Sequence, residues 1–169
     1  MEIKLNQSFA TERNINASME YTLVRGEIMP GHGVASGKCK DERYPEGTLH
    51  LQFPHFLERG LDLSPYYMGT INLDISPYSY QIIKPKYFFE NIDWSEYIPP
   101  ENFYFFDVSL QYKNKVYNGL VYMPDPETKK DHMQNPTILE LILPQIESLS
   151  YGACVEISLR KDQLEIIDL

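Results

Sequence analysis

Short segments in which apolar and polar residues alternate recur along this sequence, and they limit its possible folds more than any other feature. Clear examples are Thr48–Phe53, Gly69–Ile75 and Phe103–Tyr112. Such alternation is typical of strands with one buried face, because successive side chains of a strand point to opposite sides. We predict further strands at 21–29, 116–123, 137–143, 153–159 and 164–167.

Little helix is expected between these strands. The segment 56–61 could form one or two helical turns, and 77–100, which is aromatic and broken by prolines, is predicted to be loop with short strands. Lys113–Lys115 predicts the turn of a hairpin, since Asn114 tolerates a positive φ. Many short strands separated by turns indicate an all-β fold, either a closed barrel or a sandwich, and we predict the barrel.

The length and composition are those of one folded domain. The chain has 169 residues, 43% of them hydrophobic, with 13 Tyr and 8 Phe, which is too apolar for a disordered protein. We predict a polar N-terminal arm over residues 1–20 and a single domain over residues 21–169.

Charge and cysteine content narrow the partners and the compartment. The net charge of −9 argues against binding to nucleic acid, although a nucleotide can be held by backbone N–H groups and Mg²⁺. We expect no signal peptide, and no run approaches the roughly 20 apolar residues of a membrane-spanning helix. Two cysteines make no disulfide framework, so we expect a cytoplasmic protein.

A glycine-rich segment, Gly31–Lys40, is the first candidate for chemistry. Its glycines can expose backbone N–H groups to an anion, and Lys38, Lys40 and Arg43 add positive charge. A phosphate cradle is one interpretation, and a plain connection between strands is the other.

Two further candidates lie on predicted strands. Thr70 and Asn72 are two residues apart, so they share one face, and their oxygens are ligands suited to Mg²⁺. An ordinary half-exposed strand would show the same pattern. Glu140 lies within an apolar strand, where a carboxylate needs a partner, a ligand or an exit to solvent.

These pieces occur in an order that resembles the CTP-dependent riboflavin kinase family. The matching segments span roughly residues 22–160. They are Gly26-Glu-Ile-Met29 with the glycine-rich loop, Gly69-Thr-Ile-Asn-Leu73, Asn118-Gly-Leu-Val-Tyr-Met-Pro124, Pro136-Thr-Ile-Leu-Glu-Leu-Ile-Leu-Pro144 and Gly152-Ala-Cys-Val-Glu-Ile157. The second and fourth segments are the most specific, and the ordered set carries the resemblance.

The resemblance implies a compact six-stranded cradle-loop barrel with few short helices. It also implies Mg²⁺-assisted phosphoryl transfer from CTP to the 5′-hydroxyl of riboflavin, giving FMN, by a protein that we expect to be a monomer. Thr70 and Asn72 match its metal ligands, Glu140 and Thr128 match its flavin-contacting residues, and Glu140 is the candidate catalytic base. The implied nucleotide-binding residues are Gly31, His32, Gly33, Ser36, Gly37, Lys38, Pro144, Gln145, Ile146 and Glu147.

A second hypothesis is a barrel of the same fold that binds a flavin or a nucleotide without catalysis, as a ligand sensor. A third is a purely structural or interaction domain. The Thr70 and Asn72 pair favours the kinase, whereas the long glycine-rich loop favours the sensor.

Overall fold

The computed structural model of the protein describes residues 20–31, 41–129 and 134–169. It contains nine strands and one helix in these ranges. In chain order they are β1 (Tyr21–Met29), α1 (Thr48–Glu58), β2 (Ile71–Asp74), β3 (Tyr78–Ile82), β4 (Tyr87–Ile92), β5 (Glu101–Tyr112), β6 (Lys115–Pro124), β7 (Ile138–Ile142), β8 (Cys154–Arg160) and β9 (Leu164–Asp168). The predicted all-β class is confirmed.

Six of the strands form a barrel-like ring. The antiparallel sheet runs in the order β5-β6-β7-β2-β1-β8, and β5 pairs with β8 as well. That last pairing covers only four residue pairs, from Val108 with Leu159 to Gln111 with Glu156, so the ring is partial. The first half of β5 pairs instead with β4, and β3 and β9 form a separate two-stranded sheet.

Two hydrophobic clusters lie on opposite faces of this sheet. The barrel core draws on all six ring strands, including Val24, Leu73, Val108, Val121, Leu139 and Ile157. The helix-side cluster packs Leu49 and Phe56 of α1 against Phe103, Phe105, Leu120, Tyr122 and Ile142. Side chains along β5, β6 and β7 therefore alternate between the two clusters, as the pleat of a strand requires.

The strand predicted at 48–53 is wrong, because these residues begin helix α1. The buried residues of α1 are Thr48, Leu49, Gln52 and Phe56, spaced three and four apart as on one helical face. Leu51, which completed the apparent alternation, is 40% exposed. The helical turns predicted at 56–61 are the last turn of the same helix, which ends before Gly60 at φ 97°.

The remaining predicted elements are present with shifts of one or two residues at their ends. The hairpin of β5 and β6 turns at Lys113 and Asn114, whose φ angles of 47° and 62° fit a two-residue turn. The region 77–100 contains the two short strands β3 and β4.

Two further predictions concern the N-terminal arm and membrane-spanning helices. The predicted N-terminal arm lies outside the described residues, except for residue 20. Among the described residues, no helix has both the length and the apolar character needed to cross a membrane.

Candidate functional site

Three neighbouring strands bring Asn72, Glu140 and Tyr122 into one row. Asn72 on β2 lies directly opposite Glu140 on β7, and Glu140 lies directly opposite Tyr122 on β6. Directly opposed side chains share a face of the sheet, and Tyr122 belongs to the helix-side cluster. The row is therefore on the outer face of the ring.

Thr70 joins the row from the residue before β2. Its hydroxyl donates a hydrogen bond to Oε1 of Glu140 over 3.1 Å. The predicted sharing of a face by Thr70 and Asn72 agrees with this contact, since Glu140 lies next to both. The Thr70 hydroxyl, just before the neighbouring strand, thus gives this half-buried carboxylate a polar partner.

Asn72 has only 8% of its surface exposed, and both ends of its amide face protein. Its Oδ1 accepts a hydrogen bond from Nε2 of Gln134 over 2.8 Å. Its Nδ2 lies against Gly31, so closely that a Cβ at residue 31 would overlap it. A residue with a Cβ here would force the Asn72 side chain to move, and the first residue of the glycine-rich loop is thereby placed at Asn72.

A cleft of about 160 Å³ opens beside this row. Its lining residues include Tyr80, Tyr122, Lys129, Gln134 and Glu140. The cleft therefore combines two aromatic rings, a cation and a carboxylate, which is a mixture suited to a flat, polar-edged ligand.

The negative charge of Glu140 contributes to the raised pKa values of Tyr80 and Tyr122. Burial raises the pKa of the Tyr80 phenol, and Glu140 raises it further. Burial raises the pKa of Tyr122 well above its usual value, with added contributions from Glu140 and Glu101. Both phenols are therefore neutral near pH 7, and Tyr122 donates its proton to Oε1 of Gln52 over 2.7 Å.

The chemistry of the oxygens fits the Mg²⁺ that the resemblance implies. Thr70 offers a hydroxyl, Glu140 a carboxylate and Asn72 an amide oxygen, and Mg²⁺ prefers such oxygen ligands with water and phosphate completing its shell. Groups of three or more His, Cys, Asp or Glu residues suited to a metal are absent from the described residues.

The predicted nucleotide-binding stretch Pro144–Glu147 leaves β7 near the start of β2. The carbonyl of Leu143 accepts a hydrogen bond from the N–H of Tyr67, three residues before Thr70. Ile146 packs on the barrel core, whereas Gln145 and Glu147 are exposed. The predicted residues His32, Gly33, Ser36, Gly37 and Lys38 lie outside the described residues.

Thr128 serves the turn that follows β6. Its hydroxyl accepts a hydrogen bond from the N–H of Asn102 over 2.9 Å and contacts the carbonyl of Asp125 over 3.2 Å. The next residue, Lys129, lines the cleft. Thr128 therefore shapes one edge of the cleft through the backbone of its turn.

Sequence reasoning did not identify Tyr80, Tyr122 or Gln134 as site residues. The sequence pattern places Tyr122 in the correct hairpin arm, but only the register between β6 and β7 brings it to Glu140. Gln134 follows a polar loop and has no pattern of its own. No family model and no curated protein matches this chain.

Proposed function

We propose that this protein transfers the terminal phosphoryl group of a nucleoside triphosphate, CTP by resemblance, to the 5′-hydroxyl of riboflavin, giving FMN. One observation carries the proposal. Three distant segments, to which the resemblance gives separate roles, come together at one place. They contribute Gly31, the pair Thr70 and Asn72, and Glu140.

The resemblance assigns the cation to Thr70 and Asn72, at the start of β2. When bound, Mg²⁺ neutralises the charge that develops on the transferring phosphate oxygens. The Thr70 hydroxyl and the Asn72 amide oxygen would hold it, with Glu140 adjacent. The protein's own task is to position these groups, because phosphoryl transfer needs little covalent help.

Glu140 is the candidate acid–base residue. It lines the cleft and contacts Thr70, so it lies between the proposed flavin side and the proposed metal side. The riboflavin hydroxyl oxygen forms the new bond to the terminal phosphorus while the bond to the bridging oxygen breaks. The nucleoside diphosphate leaves, and the carboxylate of Glu140 takes the hydroxyl proton.

The two substrates would approach from opposite sides of Glu140. The cleft with Tyr80 and Lys129 is the proposed flavin side, since the half-buried ring of Tyr80 could stack on the flavin ring system. The turn that contains Thr128 borders that cleft. The nucleotide would bind at Gly31 with the loop that follows, and at Pro144–Glu147. We also propose that the protein is a monomer and acts in the cytoplasm.

A barrel that binds a flavin or a nucleotide without transferring phosphate is the second candidate. The long glycine-rich loop of the sequence is the feature that favours it. Such a protein would change the fluorescence of riboflavin on binding and form no FMN.

The deciding experiment incubates the protein with riboflavin, Mg²⁺ and each nucleoside triphosphate in turn, and follows FMN by chromatography. Glu140→Gln keeps the shape and removes the base, so we expect turnover to fall by about 100-fold or more. Glu165→Gln is the matched control, because Glu165 is exposed on β9.

Two results would decide against the kinase. FMN formation by Glu140→Gln at the rate of the unmodified protein would remove Glu140 from the reaction. A protein that binds riboflavin but forms no FMN with any nucleotide would replace the kinase with the binding barrel.

A further inference from the structure

The seam between β6 and β7 opens beside the cleft. The two strands pair over three residues each, and the last pair is Tyr122 with Glu140. β6 nevertheless continues to Pro124, still paired with β5, and β7 begins at Ile138, already paired with β2. Pro124 and Ile138 both line the cleft, so the cleft opens where the two strands diverge.

The backbone groups of Pro124 and Ile138 face each other across this seam. The residue after Pro124, Asp125, donates its N–H over 2.9 Å to the carbonyl of Asn102 on β5, away from the seam. The residue before Ile138, Thr137, accepts a hydrogen bond of 2.9 Å from the segment after β2, again away from the seam. Because successive residues of a strand direct their backbone groups to opposite edges, Pro124 and Ile138 direct theirs into the seam.

The hydrogen bonds that would continue the ladder here are missing. Pro124 has no N–H, and the N–H of Ile138 donates to the Asn135 carbonyl over 2.9 Å. Within the part of the chain that the structure describes, no donor reaches the carbonyl of Pro124 or of Ile138. Pro124 is buried, and a buried carbonyl without a donor calls for a partner. The cleft therefore offers two acceptors to a ligand that carries a donor.

Other lining residues limit the kind of ligand that fits these acceptors. Lys129 brings a cationic donor to the same cleft, so the ligand needs acceptors next to its own donor. The half-buried ring of Tyr80 favours a flat ring system. An imide, which is an N–H between two carbonyls, has this order of groups, and the pyrimidine ring of a flavin carries one.

We infer that the open seam between β6 and β7 binds the imide edge of the flavin, with the carbonyls of Pro124 and Ile138 accepting from its N–H and Lys129 donating to its ring carbonyls. The inference rests on the proposed function for the identity of the ligand, and it adds which edge of the flavin the protein recognises. Ile138 lies two residues before Glu140, so the seam and the candidate base share strand β7.

Flavin analogues test the recognised edge in the unmodified protein. Riboflavin methylated at the imide nitrogen lacks the donor, whereas lumiflavin keeps the imide and lacks the ribityl chain. Quenching of flavin fluorescence, without nucleotide or Mg²⁺, measures binding. We expect the imide-methylated form to bind about tenfold more weakly than riboflavin, and lumiflavin to bind within about threefold of it.

Pro124→Ala tests the seam itself. It supplies the missing N–H, which can donate to the Ile138 carbonyl and extend the ladder. We expect slow hydrogen exchange at the new amide and riboflavin binding about tenfold weaker. The free energy of unfolding should stay nearly unchanged, because the new hydrogen bond offsets the lost restraint of proline. Pro126→Ala is the matched control, since Pro126 lines the cleft but is exposed beyond β6, and it should keep riboflavin binding.

Equal binding of riboflavin and its imide-methylated form would overturn the inference. Loss of lumiflavin binding alone would overturn it too, because the ribityl chain would then fill the seam. Unchanged riboflavin binding in a Pro124→Ala protein whose new amide exchanges slowly would have the same consequence.

Formation of FMN is measured separately and distinguishes this inference from the proposed function. Riboflavin that is converted to FMN but binds by another edge would leave the kinase without the inference. Binding that depends on the imide, with no FMN from any nucleotide, would leave the inference without the kinase.

Discussion

Tyr122 and Gln52 form a buried side-chain hydrogen bond between helix α1 and the sheet. The two residues are 4% and 2% exposed, and the Tyr122 hydroxyl donates to Oε1 of Gln52 over 2.7 Å. Because Tyr122 is also the register partner of Glu140, this bond connects the helix that follows the glycine-rich loop to the candidate site.

Tyr122→Phe should lower the free energy of unfolding by about 1–3 kcal/mol. The change leaves the buried oxygen of Gln52 without its donor, and an unsatisfied buried group costs that much. Urea denaturation measures it. Tyr112→Phe is the control, since Tyr112 makes an exposed bond of 3.1 Å to the Ser148 carbonyl and its loss should cost far less. Equal losses of unfolding free energy in the two variants would mean that the buried bond stabilises the protein no more than the exposed one.

The raised pKa of Tyr122 makes stability depend on alkaline pH. In the unfolded chain a tyrosine ionises around its usual pKa of 10.0, whereas in the folded protein burial keeps Tyr122 protonated to higher pH. Its contribution is therefore complete below about pH 10 and is lost as the pH rises through the raised value. We expect the free energy of unfolding to fall as the pH rises above about 10, and to fall less in Tyr122→Phe.

The composition of the site was only partly predictable, residue by residue. Period two alone put Thr70 and Asn72 on one face. Their contacts with Glu140 depend on the register between β2 and β7, which is fixed by pairing distant segments rather than by local pattern. Gln134 was missed for the same reason, because only the folded chain brings it to Asn72.

Helix α1 shows, at the scale of one element, where sequence pattern failed. Leu49, Leu51 and Phe53 alternate as in a strand. The residues that are buried, however, are Leu49, Gln52 and Phe56, which have the spacing of one helical face. A buried glutamine, Gln52, interrupts the apolar helical face, because its side chain is polar. The hairpin of β5 and β6 was predictable, since its strands are long and its turn has its own local signal.

Phe56 anchors α1 to the sheet. Its ring is fully buried and lies 5.1 to 5.7 Å from the rings of Phe89, Phe103 and Phe105. Phe56→Ala should lower the free energy of unfolding by about 3–5 kcal/mol, the usual cost of such a cavity. Leu57, the next residue, is 49% exposed. Leu57→Ala should therefore change the free energy of unfolding by less than about 0.5 kcal/mol in the same denaturation assay. Similar losses in both would contradict the packing described for α1.

Across the whole molecule, the barrel core and the helix-side cluster share their strands. On β5, Phe105 belongs to the helix-side cluster and Phe106 to the barrel core, and on β6 the neighbours Val121 and Tyr122 divide in the same way. Loss of one cluster would expose one face of strands that the other cluster still needs. The two clusters should therefore unfold together, as one cooperative unit.

Trp94 allows this cooperativity to be measured without a mutation. It is the only tryptophan of the chain, belongs to the helix-side cluster, and donates its indole N–H to Glu101 over 2.8 Å. Its fluorescence reports on that cluster, while far-UV circular dichroism reports mainly on the strands. In urea we expect the two signals to change with the same midpoint and the same slope. A fluorescence transition at lower urea than the circular dichroism transition would show that α1 and its cluster separate from an intact barrel, so that the candidate site could lose one wall while the ring stays folded.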